Sequence, residues 1–242
     1  CVELVAEKLR LRSRRIAILS RGYGGATRDY WLESRGGRLL VNGQPSQAID
    51  GLADEPQLLA QHLAGIPVLV GAQRVQTGRR ACEQFAADTL VMDDGFQHRR
   101  LHRDCDIVLL QARMPLGGWR LLPRGPMREP LEAIRRAHVV IVTKADEALE
   151  RLGAVRERLL ALSPSAAVVT AVHEPDGLLD AWTGQREELG RVEQLRGGLV
   201  SSIGDPDGFE ATVQKLHATI GWHRIFPDHH RYGRADWASV VE

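Results

Sequence analysis

Short continuous apolar runs alternate with helix-spaced apolar residues along most of this chain. Val2, Leu4, Val5, Leu9 and Leu11 recur at near-helical spacing, and Ile16–Ser20 then has the length and composition of a buried strand. Two β-rich runs, 30–32 and 39–41, flank Arg35-Gly36-Gly37 and predict a hairpin. Helical patterns over 56–63, 75–86 and 130–137 interleave with strand-length runs at 67–70, Thr89–Met92, 107–110 and Val139–Thr143. That alternation predicts an α/β fold, a mostly parallel sheet covered by helices.

Beyond Lys144 the texture changes. A helix is expected over 149–162, an extended run over 168–172 and a turn at Pro175-Asp176-Gly177. Residues 174–197 are polar and rich in turn formers, whereas 199–203 reads as a strand and 206–220 as a helix stopped by Gly221. The expected organisation is a core over 1–166, an extended linker over 167–197, and the start of a smaller α/β domain over 198–242. Cys1 opens within a helical pattern, and the closing string from Asp236 to Glu242 carries no stop signal, so a fragment lacking sequence at both ends is expected.

Three helices are expected to begin at an acid-Pro pair: Glu55-Pro56, Glu129-Pro130 and Asp205-Pro206. Proline suits a first helical position, and an acid before it can cap the exposed N–H groups for about 1 kcal/mol. The same carboxylates, lying at helix starts after strands, can instead face a ligand.

Composition changes little. With 242 residues, 43% hydrophobic and 26% charged, the chain is ordinary for a globular protein. The net charge of +1 gives no global field toward nucleic acid or membrane, although arginines cluster at 10–15, 99–103 and 120–136. Three cysteines without a CxxC pair fit a reduced cytosolic protein. His98, His102 and Cys105 lack a fourth ligand at sensible spacing for zinc. No run of about 18 apolar residues is present.

The chemistry is concentrated where the strand Thr89–Met92 runs into Asp93-Asp94-Gly95. Open α/β folds bind ligands at the carboxyl edge of the sheet, and in nucleotide-hydrolysing folds an Asp there holds Mg²⁺ over the phosphates. The plainer reading is a strand end with two solvated acids and a glycine turn.

Further strings then occur in one order: Ser20-Arg21-Gly22-Tyr23-Gly24-Gly25; Asp54-Glu55-Pro56; Asp93-Asp94-Gly95-Phe96-Gln97-His98; Leu121-Leu122-Pro123 with Gly125-Pro126 and Arg128-Glu129-Pro130; and Phe226-Pro227-Asp228-His229. Together they closely resemble the tetraacyldisaccharide 4'-kinase family, the lipid A 4'-kinases. The resemblance covers almost the whole chain, and it implies a P-loop kinase that moves the γ-phosphoryl of ATP, with Mg²⁺, onto the 4'-hydroxyl of tetraacyldisaccharide 1-phosphate. By match, Asp93 and Asp94 fall on the Mg²⁺-serving acids, Asp54 on the base that accepts the sugar proton, and His229 on the histidine that orients it. Glu55, Gln97, His98 and Glu129 fall on other active-site positions, and Arg21 and Arg128 are candidates for substrate phosphate. The implied setting is peripheral, on the cytoplasmic face of the bacterial inner membrane, with a lipid substrate, no nucleic acid and no obligate protein partner.

The chain departs from the family in several ways, among them a missing membrane-associating N-terminal segment and a loose version of the second-domain loop at Ser201–Pro206. No G-x-x-x-x-G-K-(S/T) loop occurs in it; the resemblance puts that loop just ahead of Cys1, and without it weak ATP binding and no turnover are expected. Gln111-Ala112 stands where the family usually has an Asp. Rival readings are a P-loop GTPase, from Thr143-Lys144-Ala145-Asp146, a nucleic-acid binder, from the 98–103 basic run, and a non-catalytic homologue.

Overall fold

The computed structural model describes residues 1–27, 29–45, 51–113 and 120–241. Glu242, the last residue of the expected terminal helix, lies outside them. The chain divides into two compact units, Cys1–Val172 and His173–Glu242.

In the first unit α1 (Val2–Arg10) leads into β1 (Ile16–Ser20), followed by the meander β2 (Tyr30–Arg35), β3 (Arg38–Val41) and β4 (Gln44–Pro45). Next come α2 (Asp54–His62), β5 (Val68–Val70), α3 (Arg74–Phe85) and β6 (Thr89–Met92). These strands form one sheet in the order β4-β3-β2-β5-β1-β6. β1 is parallel to both β5 and β6, whereas β2 joins β5 antiparallel.

Period-two alternation assembles this layer. Ile16 and Ile18 of β1 enter one apolar cluster with Val68, Val70, Tyr30 and Leu32, on the side of α1 and α2. Ala17 and Leu19 enter the opposite cluster with Leu69, Trp31 and Ala81 of α3. With apolar contacts on both faces, β1 is buried along its whole length, as a central parallel strand must be.

A second, all-parallel sheet in the same unit comprises β7 (Ile107–Gln111), β8 (Val139–Thr143) and β9 (Ala167–Thr170). It packs Val140 and Val142 against Ile134 and against Leu159 of α4 (Leu152–Leu162).

The second unit holds the hairpin β10 (Leu178–Leu179) and β11 (Arg186–Glu187), followed by a β-α-β unit. In that unit β12 (Arg196–Ser201) and β13 (Thr219–Ile225) are parallel and joined through α5 (Pro206–Lys215). α6 (Arg234–Val241) closes it.

Some expectations need correction. Of the three acid-Pro starts, only Asp205 caps its helix, accepting from the Gly208 N–H at 3.1 Å. α2 begins two residues before Pro56, with Ala53 at its N-cap and no side-chain cap, so Asp54 and Glu55 occupy its first turn. The helix expected over 130–137 is a 3-10 helix, Leu131–Arg136, closed by i→i+3 bonds such as Ala137 N–H to Ile134 O at 2.8 Å. The helix expected to run to residue 220 stops at Lys215, because His217 takes a left-handed φ of 63° and turns the chain into β13. β9 belongs to the sheet of the first unit, and residues 173–197, expected as linker, carry a hairpin and a 3-10 helix within the second.

Candidate active site

The parallel strands β1, β5 and β6 end together, which gathers Ser20, Gly71 and Asp93 at one sheet edge. The Gly71 N–H donates to Ser20 O at 3.0 Å, and the Asp93 N–H to Leu19 O at 2.9 Å. The Ser20 hydroxyl donates to Asp93 Oδ2 at 3.2 Å. Burial, the largest effect, pushes the Asp93 carboxyl above its ordinary value; the neighbouring Asp94 adds to that, and the Ser20 bond opposes it.

Asp94 follows with a left-handed φ of 48°, which asparagine and aspartate tolerate better than most residues. The turn is completed by Gly95, where a Cβ would lie 2.7 Å from that of Met92. This tight reversal directs the second carboxylate outward, and Arg128 Nη1 grips both its oxygens at 2.7 and 2.5 Å.

Sequence reasoning missed Arg74. It opens α3 yet is only 3% exposed, and its guanidinium donates to Gly71 O and Asp93 O, both at 3.2 Å. It therefore ties the ends of β5 and β6 together beneath the acid pair. Burial pulls its pKa below the ordinary arginine value, while the charges of Asp93 and Asp94 offset that. A buried arginine runs against hydropathy patterning; the one signal was its place at a helix start directly after a strand.

His98 lies close enough to Arg74, Arg100, Arg103 and Arg21 for their charges to lower its pKa, although burial is the larger cause. Its Nε2 is buried without a hydrogen-bond partner among the described residues. Arg103 fixes this segment by donating to His98 O and to the Asp106 carboxylate, both at 2.5 Å.

Asp54 and Glu55 reach the neighbourhood through the glycine-rich loop after β1. A Cβ on Gly25 would sit 2.8 Å from the Ala53 nitrogen, so the loop lies directly against the start of α2. From below, the buried Tyr30 hydroxyl accepts the Ala53 N–H at 3.1 Å. Asp54 Oδ1 accepts the Glu55 N–H at 3.0 Å. The edge thus collects Asp93, Asp94, Arg128, Arg21 and His98, with Asp54 and Glu55 joined to it through the loop.

The remaining candidates are placed by other contacts. Glu129 is held by Arg136 at 2.5 Å, and that guanidinium lies over the Phe96 ring, 4.5 Å from its centroid. Gln97 is exposed. His229 belongs to the second unit, on a turn where it takes a left-handed φ of 59° and its N–H donates to Ser202 O at 3.2 Å.

Two adjacent carboxylates, one half-buried and one exposed, suit Mg²⁺, which binds through one or two carboxylates and fills its shell with water and phosphate oxygens. No three of His, Cys, Asp and Glu gather into a metal cluster among the described residues. A divalent cation would offset the unfavourable burial of ionised Asp93.

Strands ending on a carboxylate pair ringed by arginines, in a helix-covered α/β sheet, define a P-loop-type fold with an anion-handling edge. The chain belongs to the tetraacyldisaccharide-1-P 4'-kinase family, whose model, LpxK, matches residues 1–242. It is 45% identical over 241 residues to the tetraacyldisaccharide 4'-kinase of Anaeromyxobacter sp. (strain K), covering 98% of this chain and 61% of that one. To the tetraacyldisaccharide 4'-kinase of Syntrophus aciditrophicus it is 39% identical over 247 residues, covering 99% and 64%. A crystal structure of "apo" form LpxK from Aquifex aeolicus in complex with ATP superimposes with a TM-score of 0.72 at 27% identity, covering 96% of this chain and 68% of that one. The chain thus spans 61% of the length of the Anaeromyxobacter relative. A family match along its whole length does not favour the GTPase reading of Thr143-Lys144-Ala145-Asp146.

Proposed function

We propose that this chain forms part of a tetraacyldisaccharide 4'-kinase, which transfers the γ-phosphoryl of ATP to the 4'-hydroxyl of tetraacyldisaccharide 1-phosphate in lipid A synthesis. The observation that carries the reading is the Asp93–Asp94 pair at the sheet edge, braced by Ser20 and Arg74 and faced by Arg128. Family membership and the ATP-bound relative support it.

In this reading Asp93 and Asp94 hold Mg²⁺, and the ion, when bound, neutralises charge on the transferring phosphoryl group. Asp54 accepts the proton of the sugar hydroxyl, and His229 is assigned to catalysis by the family resemblance. A carboxylate suits this task because phosphoryl transfer asks for alignment and charge neutralisation more than for a strong base. Arg21 and Arg128 supply planar forks for phosphate oxygens. His98, Gln97 and Glu129 serve the nucleotide and Glu55 the sugar. The substrate is a lipid, so the protein works peripherally at the cytoplasmic face of the inner membrane.

The test is to incubate the complete gene product with MgATP and the disaccharide 1-phosphate and to follow the lipid by mass spectrometry. Gain of one phosphate at the 4' position supports the reading. Its absence, with the protein folded and ATP intact, contradicts it.

A further inference from the structure

In the connection between β7 and β8 the chain makes a small knuckle whose surface is unlike the rest. Residues 120–128 read Arg-Leu-Leu-Pro-Arg-Gly-Pro-Met-Arg, without a single acid. The knuckle is held by its own backbone. Leu122 N–H donates to Met127 O at 2.9 Å, Met127 N–H to Arg120 O at 3.2 Å, and Arg124 N–H to Leu121 O at 2.9 Å. Closure is tight enough that a Cβ on Gly125 would lie 2.3 Å from Arg120 O. Its shape is therefore set before anything binds.

What it presents outward is unusual. Leu121 and Leu122 are 45% and 63% exposed, side by side, beside an open groove lined by Arg120, Leu121, Leu122, Pro123 and Arg124. Among the described residues neither Arg120 nor Arg124 has an ion-pair partner. Single exposed leucines are ordinary, but adjacent ones clamped outward between two uncompensated arginines are not. The next cation along the chain, Arg128, grips Asp94, so the knuckle stands at the rim of the acid pair.

We propose that the 120–124 knuckle is a membrane contact that seats on an anionic bilayer. Leu121 and Leu122 enter the boundary between headgroups and acyl chains, and Arg120 and Arg124 meet lipid phosphates. Charge complementarity selects this occupant, because a zwitterionic or neutral apolar surface offers the two guanidiniums no net negative charge to neutralise. The inference rests on the proposed function in one respect: a kinase acting on a four-chain lipid must reach that lipid in its bilayer, and this contact would set the acid pair at the interface.

The test uses the complete gene product with Cys1, Cys82 and Cys105, all exposed, changed to Ser and Leu122→Cys carrying a polarity-sensitive fluorophore. Vesicles of phosphatidylethanolamine with phosphatidylglycerol should shift the emission to the blue, and vesicles of phosphatidylcholine alone should not. Arg120→Ala and Arg124→Ala should each weaken the vesicle titration about fivefold. Silent fluorescence while the protein still co-floats with anionic vesicles would overturn the proposal, since another part of the protein would then be the contact. So would a blue shift with monomeric substrate lipid and none with vesicles, which would make the groove a ligand subsite instead. The readout needs no turnover: a knuckle that responds in a protein without kinase activity removes the function and keeps the contact, and an active kinase with a silent knuckle does the reverse.

Discussion

Arg128 and Asp94, 34 positions apart in sequence, form an ion pair in which one guanidinium nitrogen holds both carboxylate oxygens. Both side chains are 57% exposed, so the pair contributes only about 0–1 kcal/mol to stability. Its meaning is positional. The arginine marks where an anion can sit beside the acids, and it shares Asp94 with any cation bound there.

Arg128→Ala should therefore leave thermal unfolding almost unchanged while lowering kcat/KM for phosphoryl transfer about a hundredfold. Arg128→Lys keeps the charge and loses the fork, and should fall between the two. A melting curve alongside steady-state kinetics checks this; a large loss of stability with normal turnover would show the pair to be structural.

Asp93 gives a pH-dependent prediction. Burial raises its folded pKa above the ordinary 3.8, so the folded state binds more protons than the unfolded chain between those two values. Stability contributed by the protonated group is lost as pH rises through that window and stays lost above it. Asp93→Asn should accordingly raise the urea midpoint at pH 7, and the gain should shrink as pH falls toward 3.8. Mg²⁺ should stabilise the wild type and have little effect on the variant, as followed by urea titration with and without the ion.

Much of this arrangement was legible in the sequence. The apolar runs at Ile16–Ser20 and Thr89–Met92 announced parallel strands, and two acids followed by Gly95 marked the ligand edge. What the sequence hid depends on long-range packing. Arg74 is a charged residue in a buried position, intelligible only once the ends of β5 and β6 are side by side. β13 was hidden because Gly221 reads as a helix stop, and because most of the strand stays exposed instead of alternating cleanly. The 3-10 helix Leu131–Arg136 carries the same apolar spacing as an α-helix, and only its i→i+3 bonds distinguish it.

His98 should report on anion binding. Burial and four arginines hold its pKa below the ordinary 6.5, which keeps the ring neutral at pH 7. A phosphate-bearing ligand placed among those arginines would raise that pKa, so binding near pH 6 should take up protons. Calorimetry in two buffers of different ionisation enthalpy measures the uptake, and His98→Gln should abolish it. Equal heats in both buffers would exclude the linkage.

In the second unit, His223 links two elements through buried hydrogen bonds. Its Nε2 lies 2.8 Å from the Ser201 hydroxyl and its Nδ1 2.9 Å from Glu210 Oε2, with the imidazole only 6% exposed. Ser201→Ala strands a buried ring nitrogen and should cost about 1–3 kcal/mol in unfolding free energy. Ser201→Thr should restore most of the loss. Urea denaturation of the whole protein decides it; a shift below about 0.5 kcal/mol would mean that water replaces the hydroxyl.

The central claim is that the carboxylates ending β6 are the phosphoryl-transfer centre. The most direct measurement is the initial rate of 4'-phosphorylation by the complete gene product, compared among the wild type, Asp93→Asn, Asp94→Asn and the fully exposed control Asp104→Asn. The account predicts a loss of at least about a hundredfold for the first two variants and none for the control. Wild-type rates in both Asp93→Asn and Asp94→Asn would contradict it.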